Sequence, residues 1–224
     1  QLRTTIAINN VPVKIGGAHA GISVGPDGAT HQALEDIALM RVMPRMTVLV
    51  PCDAVETQKA TVNAVFIPGP VYIRFGREKS PVFTTKDTPF QIGKAEIFRE
   101  GKDVAIIGCG MLLHNALVAA EELSKEGIEA MVINNHTVKP IDAETIIKAA
   151  KETGAVVTVE EHQINGGLGS AVAEVLVKNH PVPQEFIGVQ DRFGESGEPW
   201  ELVDKFGMGI KDIKEAVKRA IKRK

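Results

Sequence analysis

The sequence predicts an α/β fold built from two consecutive units, each centred on a mainly parallel sheet. Short runs rich in valine and isoleucine, at Val11–Ile15, Met46–Val50 and Val71–Phe75, alternate with stretches of helical period, the rhythm of strands joined by helical crossovers. The alternation stops at a stretch rich in serine, proline and threonine, Lys79–Pro89, and resumes beyond it. A length of 224 residues is enough for one or two domains with a substantial core, and the interruption favours two.

Taken in order, the first strand runs into a glycine-rich loop, Gly17–Asp36, with the sequence GAHAGISVGPDGATHQALED. Gly25-Pro26-Asp27-Gly28 is turn chemistry, and the spacing of Ala33, Ile37, Ala38 and Met40 predicts a helix over His31–Arg41. His31 would then sit in a first helical turn, where free N–H groups and the positive end of the dipole favour a neutral imidazole. The second strand, a helix over Ala54–Phe66 and the third strand complete the first unit. An open three-stranded sheet of about 80 residues leaves edges and an apolar face uncovered, so this unit is expected to be part of a larger domain.

Beyond the interruption, Asp103–Gly108, Ile128–Asn134 and Ala155–Glu160 read as buried strands. Helices are predicted over Leu112–Glu126, Ala143–Lys151 and Gly169–Lys178, and two more, Pro199–Lys205 and Ile210–Ile221, close the unit. The last is charged enough to be a solvated amphipathic cap. Gly108-Cys109-Gly110 lacks the third glycine of a dinucleotide fingerprint, and Asn134 stands where an acidic residue is required, so a tight strand-to-helix turn is the better reading. Glu160-Glu161-His162-Gln163 before Gly166-Gly167-Leu168-Gly169 is either an anion site at a helix start or a contact between domains or subunits, and the second is preferred.

Composition narrows the function classes. Lys and Arg number 26 against 28 acidic residues, which leaves no electrostatic footprint for nucleic acid or an anionic membrane. No apolar run approaches the ~18 residues of a membrane span. Cys52 and Cys109 lie beside strand ends without metal-ligand spacing, which points to core thiols and to a reducing, cytoplasmic setting. A start at Gln1 instead of methionine reads as truncation, processing or a beginning not represented.

The long loop, together with MTVLVPCDAVET, GPVYIRFGR and VVTVEEHQINGGLGSAVAEVL, resembles transketolase, a thiamine-diphosphate enzyme, and the match extends over essentially the whole chain. The resemblance implies the C-terminal part of a pyrimidine-binding domain over residues 1–84, a linker over 85–92 and an α/β transketolase C-terminal domain over 93–224. It implies transfer of a two-carbon ketol unit from a ketose phosphate to an aldose phosphate, with thiamine diphosphate and Mg²⁺ held mainly by a partner domain or subunit. The glutamate that activates the cofactor and the aromatic residue that stacks on it belong, in that family, to a part of the domain absent here. Partners implied are sugar phosphates, a transketolase N-terminal subunit or domain, and further copies in a homo-oligomer or heterotetramer.

Carried over residue by residue, His31 would contact the reacting end of the donor, and Asp27 a hydroxyl of the aldose beside its carbonyl. As bare sequence, His31 reads as a surface or capping residue and Asp27 as a turn residue, and one side chain can serve both purposes. His19 would meet the sugar's terminal phosphate together with Arg77. Arginine suits phosphate because its planar fork donates two parallel charge-assisted hydrogen bonds. Arg74 is a rival, less well placed in mid-strand than Arg77 beyond the carboxyl end, and a surface ion pair is the plain alternative for either. The family's 1-deoxyxylulose-5-phosphate synthase shares the Gly-Pro-Asp-Gly and Thr-His-Gln elements but not a histidine at the position of His19. A non-catalytic interaction protein on the same fold is the other alternative.

Overall fold

A computed structural model describes all residues from Gln1 to Lys224. The fold is α/β with two mostly parallel sheets, as the alternating pattern predicts. A wide helical turn, Leu2–Ala7, precedes β1 (Lys14–Gly17), so the first strand starts three residues later than expected. Pro12 supplies no N–H, and Val71 N–H reaches the carbonyl of Val13 just before β1 begins. The long loop leads into α1 (Asp36–Arg41), followed by β2 (Thr47–Leu49), α2 (Ala54–Ala64) and β3 (Val71–Arg74). Strands β1 and β2 both lie parallel to β3, which is central.

The second unit runs β4 (Glu96–Arg99), β5 (Val104–Gly108), α3 (Leu113–Lys125), β6 (Ala130–Asn134), β7 (Thr137–Lys139), α4 (Ala143–Thr153), β8 (Val156–Gln163), α5 (Leu168–Asn179), β9 (Gln184–Val189), α6 (Pro199–Lys205) and α7 (Ile210–Lys222). Its five-stranded sheet has the order β4-β6-β5-β8-β9, with only β4 antiparallel. The sequence pattern missed β4 and β9 because both are edge strands, less fully buried than the central three. It also missed β7, which leaves its own unit and pairs antiparallel with β2, becoming the fourth strand of the first sheet.

That exchange joins the two units. One apolar cluster runs from Ile37, Met46 and Val48 of the first unit into Ile107, Ile133, Ile146 and Leu168 of the second, all at most 1 % exposed. Each such side chain contributes about 1.5–3 kcal/mol of burial, so the seam is part of the apolar core. The connecting segment is pinned as well. The Asp53 carboxylate, which caps α2, also accepts from the N–H groups of Phe83 and Thr84, and Lys59 donates to the carbonyls of Thr85 and Thr88. Cys52 and Cys109 are buried, unpaired thiols, and burial pushes both thiol pKa values up. No helix is long and apolar enough to cross a membrane.

Candidate functional site

Open parallel sheets bind ligands outside the carboxyl ends of their strands. The ends of β1 and β3, neighbours in the first sheet, carry His19 and Arg77 respectively. The loop after β1 is tied to the end of β3 by Ala20 N–H donating to the carbonyl of Phe75, 3.2 Å. It continues through a tight helical turn, Ile22–Asp27, interrupted where Gly25 adopts φ +75°. A β-carbon at Gly25 would lie 2.9 Å from Pro199, so glycine answers both the backbone conformation and the close approach of α6.

The four residues expected to act on sugar phosphates stand exposed on these two segments. Arg77 donates from Nη1 to Asp27 Oδ2 at 2.6 Å and to the carbonyl of Val24 at 3.3 Å, linking the end of β3 to the loop. His19 has φ +58°. His31 N–H closes a turn on the carbonyl of Gly28, and its Nδ1 lies 3.0 Å from Thr30 Oγ1. His31 is not in a helix, contrary to the sequence pattern, because α1 begins only at Asp36. Gln32 and Leu34 are buried, Ala33 bridges in parallel to Ala20, and Gly21 N–H donates to the carbonyl of Ala33. Contacts with the loop and the second unit thus hold residues 32–34 extended, and the dipole argument for a neutral His31 falls.

Arg74 is 5 % exposed and points into the seam. Its Nε donates to Asp36 Oδ2 at 2.9 Å, and its Nη2 to the carbonyls of Glu161 at 2.8 Å and Ala33 at 3.2 Å. Burial alone would raise the Asp36 carboxyl, but the Arg74 charge and the hydrogen bonds from Arg74 and Tyr72 outweigh it and hold the carboxyl below its usual range. Arg74 is a buried joint, already spoken for by three acceptors.

The glutamates at the end of β8 are also occupied. Glu160 accepts from the N–H groups of Leu168 and Gly169 at 2.7 and 2.8 Å, so the anion position at the start of α5 is filled by the protein's own carboxylate. Burial pushes the Glu160 carboxyl up to about 7 against those two bonds. Glu161 Oε1 accepts from Ser23 N–H at 2.6 Å, inside the long loop. His162 lies between the units, with Nε2 accepting from Ala38 N–H at 3.3 Å, and burial lowers its pKa to about 4. Glu161 and His162 make contacts between the units, as the preferred reading of the Glu160–Gln163 run has it; Gln32 carries no signal in the sequence beyond following Thr30-His31 directly.

A cleft of about 450 Å³ opens beside Phe75 and Gly76, between the ends of β2 and β3 and Gly110–Met111 of the second unit. Glu161, Arg74 and Asp53 are among its walls, while His19, Asp27, His31 and Arg77 are not. No group of three His, Cys, Asp or Glu side chains converges as a metal site would require. The exposed carboxylate of Asp27 is engaged by Arg77. These residues do not form a holder for a metal diphosphate.

Comparisons with known proteins match two family models. The one described as "Transketolase, pyrimidine binding domain" covers residues 1–82, and the one described as "Transketolase, C-terminal domain" covers 93–213. A 6-deoxy-6-sulfo-D-fructose transketolase subunit from Clostridium sp. (strain MSTE9) is 42% identical over all of this chain, which spans 70% of that protein. The 1-deoxy-D-xylulose-5-phosphate synthase of Trichormus variabilis is 41% identical over 98% of this chain, which spans only 35% of that protein. Among solved structures, a split gene transketolase described as an inactive beta4 tetramer superposes with TM-score 0.94 at 46% identity, covering all of this chain and 71% of that one.

Proposed function

The chain belongs to the transketolase family, and from that premise we propose that it is the C-terminal component of a thiamine-diphosphate-dependent ketol transferase. The pyrimidine-binding part occupies residues 1–84, the linker 85–92 and the C-terminal domain 93–224. The donor is a ketose phosphate and the acceptor an aldose phosphate. Thiamine diphosphate, when bound, supplies the carbanion chemistry, and a partner domain or subunit holds its diphosphate with Mg²⁺. The work of this chain is to bind and orient the sugars.

In this reading Arg77 and His19 take the terminal phosphate, His31 meets the reacting end of the donor, and Asp27 meets an acceptor hydroxyl. The observation that carries it is the Arg77–Asp27 pair, 2.6 Å, which holds a cation for phosphate beside an acceptor for hydroxyl on two adjacent strand ends. His19, on the same loop, supports sugar-phosphate transfer over the deoxyxylulose-phosphate synthase reaction despite the 41% identity to such a synthase. The 46% identical chain that forms a tetramer supports self-association of this component too.

The test is to combine the full encoded product with the component that carries the diphosphate site, and to supply an aldose phosphate with either xylulose 5-phosphate or pyruvate as donor. Transfer from xylulose 5-phosphate only in the mixture is the expected result. Turnover of pyruvate alone would move the chain to the synthase reaction, and absence of turnover and of thiamine-diphosphate binding would favour a non-catalytic role.

A further inference from the structure

The loop bearing His19, Asp27 and His31 is held partly by its own hydrogen bonds and partly from the second unit. Within the first unit it is held by the Ala20–Ala33 bridge and by Ala20 N–H on the carbonyl of Phe75, while Ser23 N–H and the Gln32 amide find partners in the second unit. Glu161 reaches in from β8, and its carboxylate, on a residue 4 % exposed, accepts from Ser23 N–H at 2.6 Å. Gly21, at φ +96°, lies so close that a β-carbon there would fall 2.4 Å from the carboxylate. The backbone Gly21–Ser23 is therefore folded around that group.

A second tie comes from Gln32, 5 % exposed. Its amide Nε2 donates to the carbonyls of Ile22 at 3.1 Å and Glu195 at 2.9 Å, with a longer approach to Gly25 at 3.4 Å. One side chain thus ties both ends of the tight turn to the segment after β9. Asp27 is the last residue of that turn, and Gly28 beside it faces Ser196 of the same segment.

We propose that the second unit positions the sugar-contacting loop, through Glu161 of β8 and through the Glu195 carbonyl that takes the loop's own Gln32, with Glu161 and Gln32 as positioning residues that set where Asp27 and His31 stand. The proposal rests on the sugar-phosphate reading above. It assigns a part in substrate binding to a unit that contributes no side chain to the four contact residues. The acceptor at Ser23 must be an oxygen of about this reach, so glutamine at position 161 should serve and alanine should not.

The experiment compares Glu161→Ala, Glu161→Gln and Gln32→Leu in the assembled enzyme, the full encoded chain with the component that holds the diphosphate. Amide hydrogen exchange is read over residues 19–32 and over β5 and β8, alongside KM and kcat for the sugar phosphates and the Kd of thiamine diphosphate. Glu161→Ala and Gln32→Leu are expected to speed exchange in the loop alone. They should raise KM for the sugars on the order of tenfold, the scale of one lost buried hydrogen bond, without a matching change in cofactor Kd. Glu161→Gln should restore both. Uniform acceleration through β5 and β8, unaltered sugar KM in the alanine and leucine variants, or a glutamine variant no better than alanine would each overturn the proposal. Should the wild-type assembly transfer no ketol unit, the functional reading fails, and loop exchange still decides whether Glu161 and Gln32 hold the loop.

Discussion

Replacing Arg74 with methionine tests whether this arginine is a structural joint, as its surroundings indicate, or a phosphate ligand. Methionine retains the apolar reach of the stem but removes the guanidinium from Asp36, 2.9 Å away, and from the carbonyls of Ala33 and Glu161. Asp36, with an 11 % exposed side chain, is then left with Tyr72 Oη, 2.8 Å, as its remaining partner. Removing one member of a buried ion pair costs roughly 3–5 kcal/mol, since the other charge stays desolvated. At about 2–4 °C per kcal/mol for a chain of this size, the melting temperature should fall by roughly 10 °C. The assay is urea and thermal unfolding of wild type, Arg74→Met, Asp36→Asn and the double variant. The double variant should be less destabilised than the sum of the singles by about 2 kcal/mol, because neutralising Asp36 removes the stranded charge. Arg74→Met within about 1 kcal/mol of wild type, or a raised KM for sugar phosphates at unchanged stability, would refute the reasoning and return Arg74 to candidacy as the phosphate ligand.

Two further expectations follow from named contacts. Arg77 and Asp27 are paired while 38 % and 35 % exposed, so their bond contributes little stability and the two residues should be coupled in substrate kinetics. Arg77→Ala should raise KM for phosphorylated sugars more than for unphosphorylated ones, Asp27→Ala should impair discrimination among aldose acceptors, and the double variant should fall short of the summed effects. Strict additivity would show that the pair does not act as a unit. His136 is buried against Phe90, ring centroids 4.3 Å apart, with Nε2 unpartnered. Burial lowers its pKa from 6.5 to about 4, a displacement worth about 3 kcal/mol. Because the folded state resists protonation, this stability is present above pH 6.5 and is lost as pH falls from there toward 4. His136→Phe keeps the stacking and should flatten the decline in unfolding free energy across that window; a wild-type-to-variant difference that is constant with pH would disprove it.

The sequence makes legible what depends on neighbours along the chain. The central strands of both sheets announce themselves because each is buried on both faces and so reads as a continuous apolar run, as Val104–Gly108 and Ala130–Asn134 do. The loop residues are likewise visible, since glycines and a Gly-Pro-Asp-Gly turn mark a backbone that must bend tightly. Apart from the Glu160–Gln163 run, which reads as a contact between domains or subunits, what escapes is what one unit does for the other. Thr137–Lys139 is too short to signal a strand and becomes one only because β2 offers an open edge. The helix expected from His31 fails because Gln32 finds the carbonyl of Glu195, 163 residues away. The anion site that the sequence keeps as the less favoured reading of the Glu160 run is closed by Leu168 and Gly169, whose N–H groups donate to the Glu160 carboxylate.

These failures share a cause. A residue pattern records which side chains must be buried, but an orphaned backbone group can be satisfied from any distance along the chain, and the choice of partner leaves no periodic trace. In this protein several such long-range partners meet at the loop and its base: Ser23 to Glu161, Gln32 to Glu195, Arg74 to the carbonyl of Glu161. The residues that touch substrate in the proposed reaction are therefore written locally, while their positions depend on the second unit. A substitution at the end of β8 should consequently disturb sugar binding through a path that no reading of the first 84 residues alone would find.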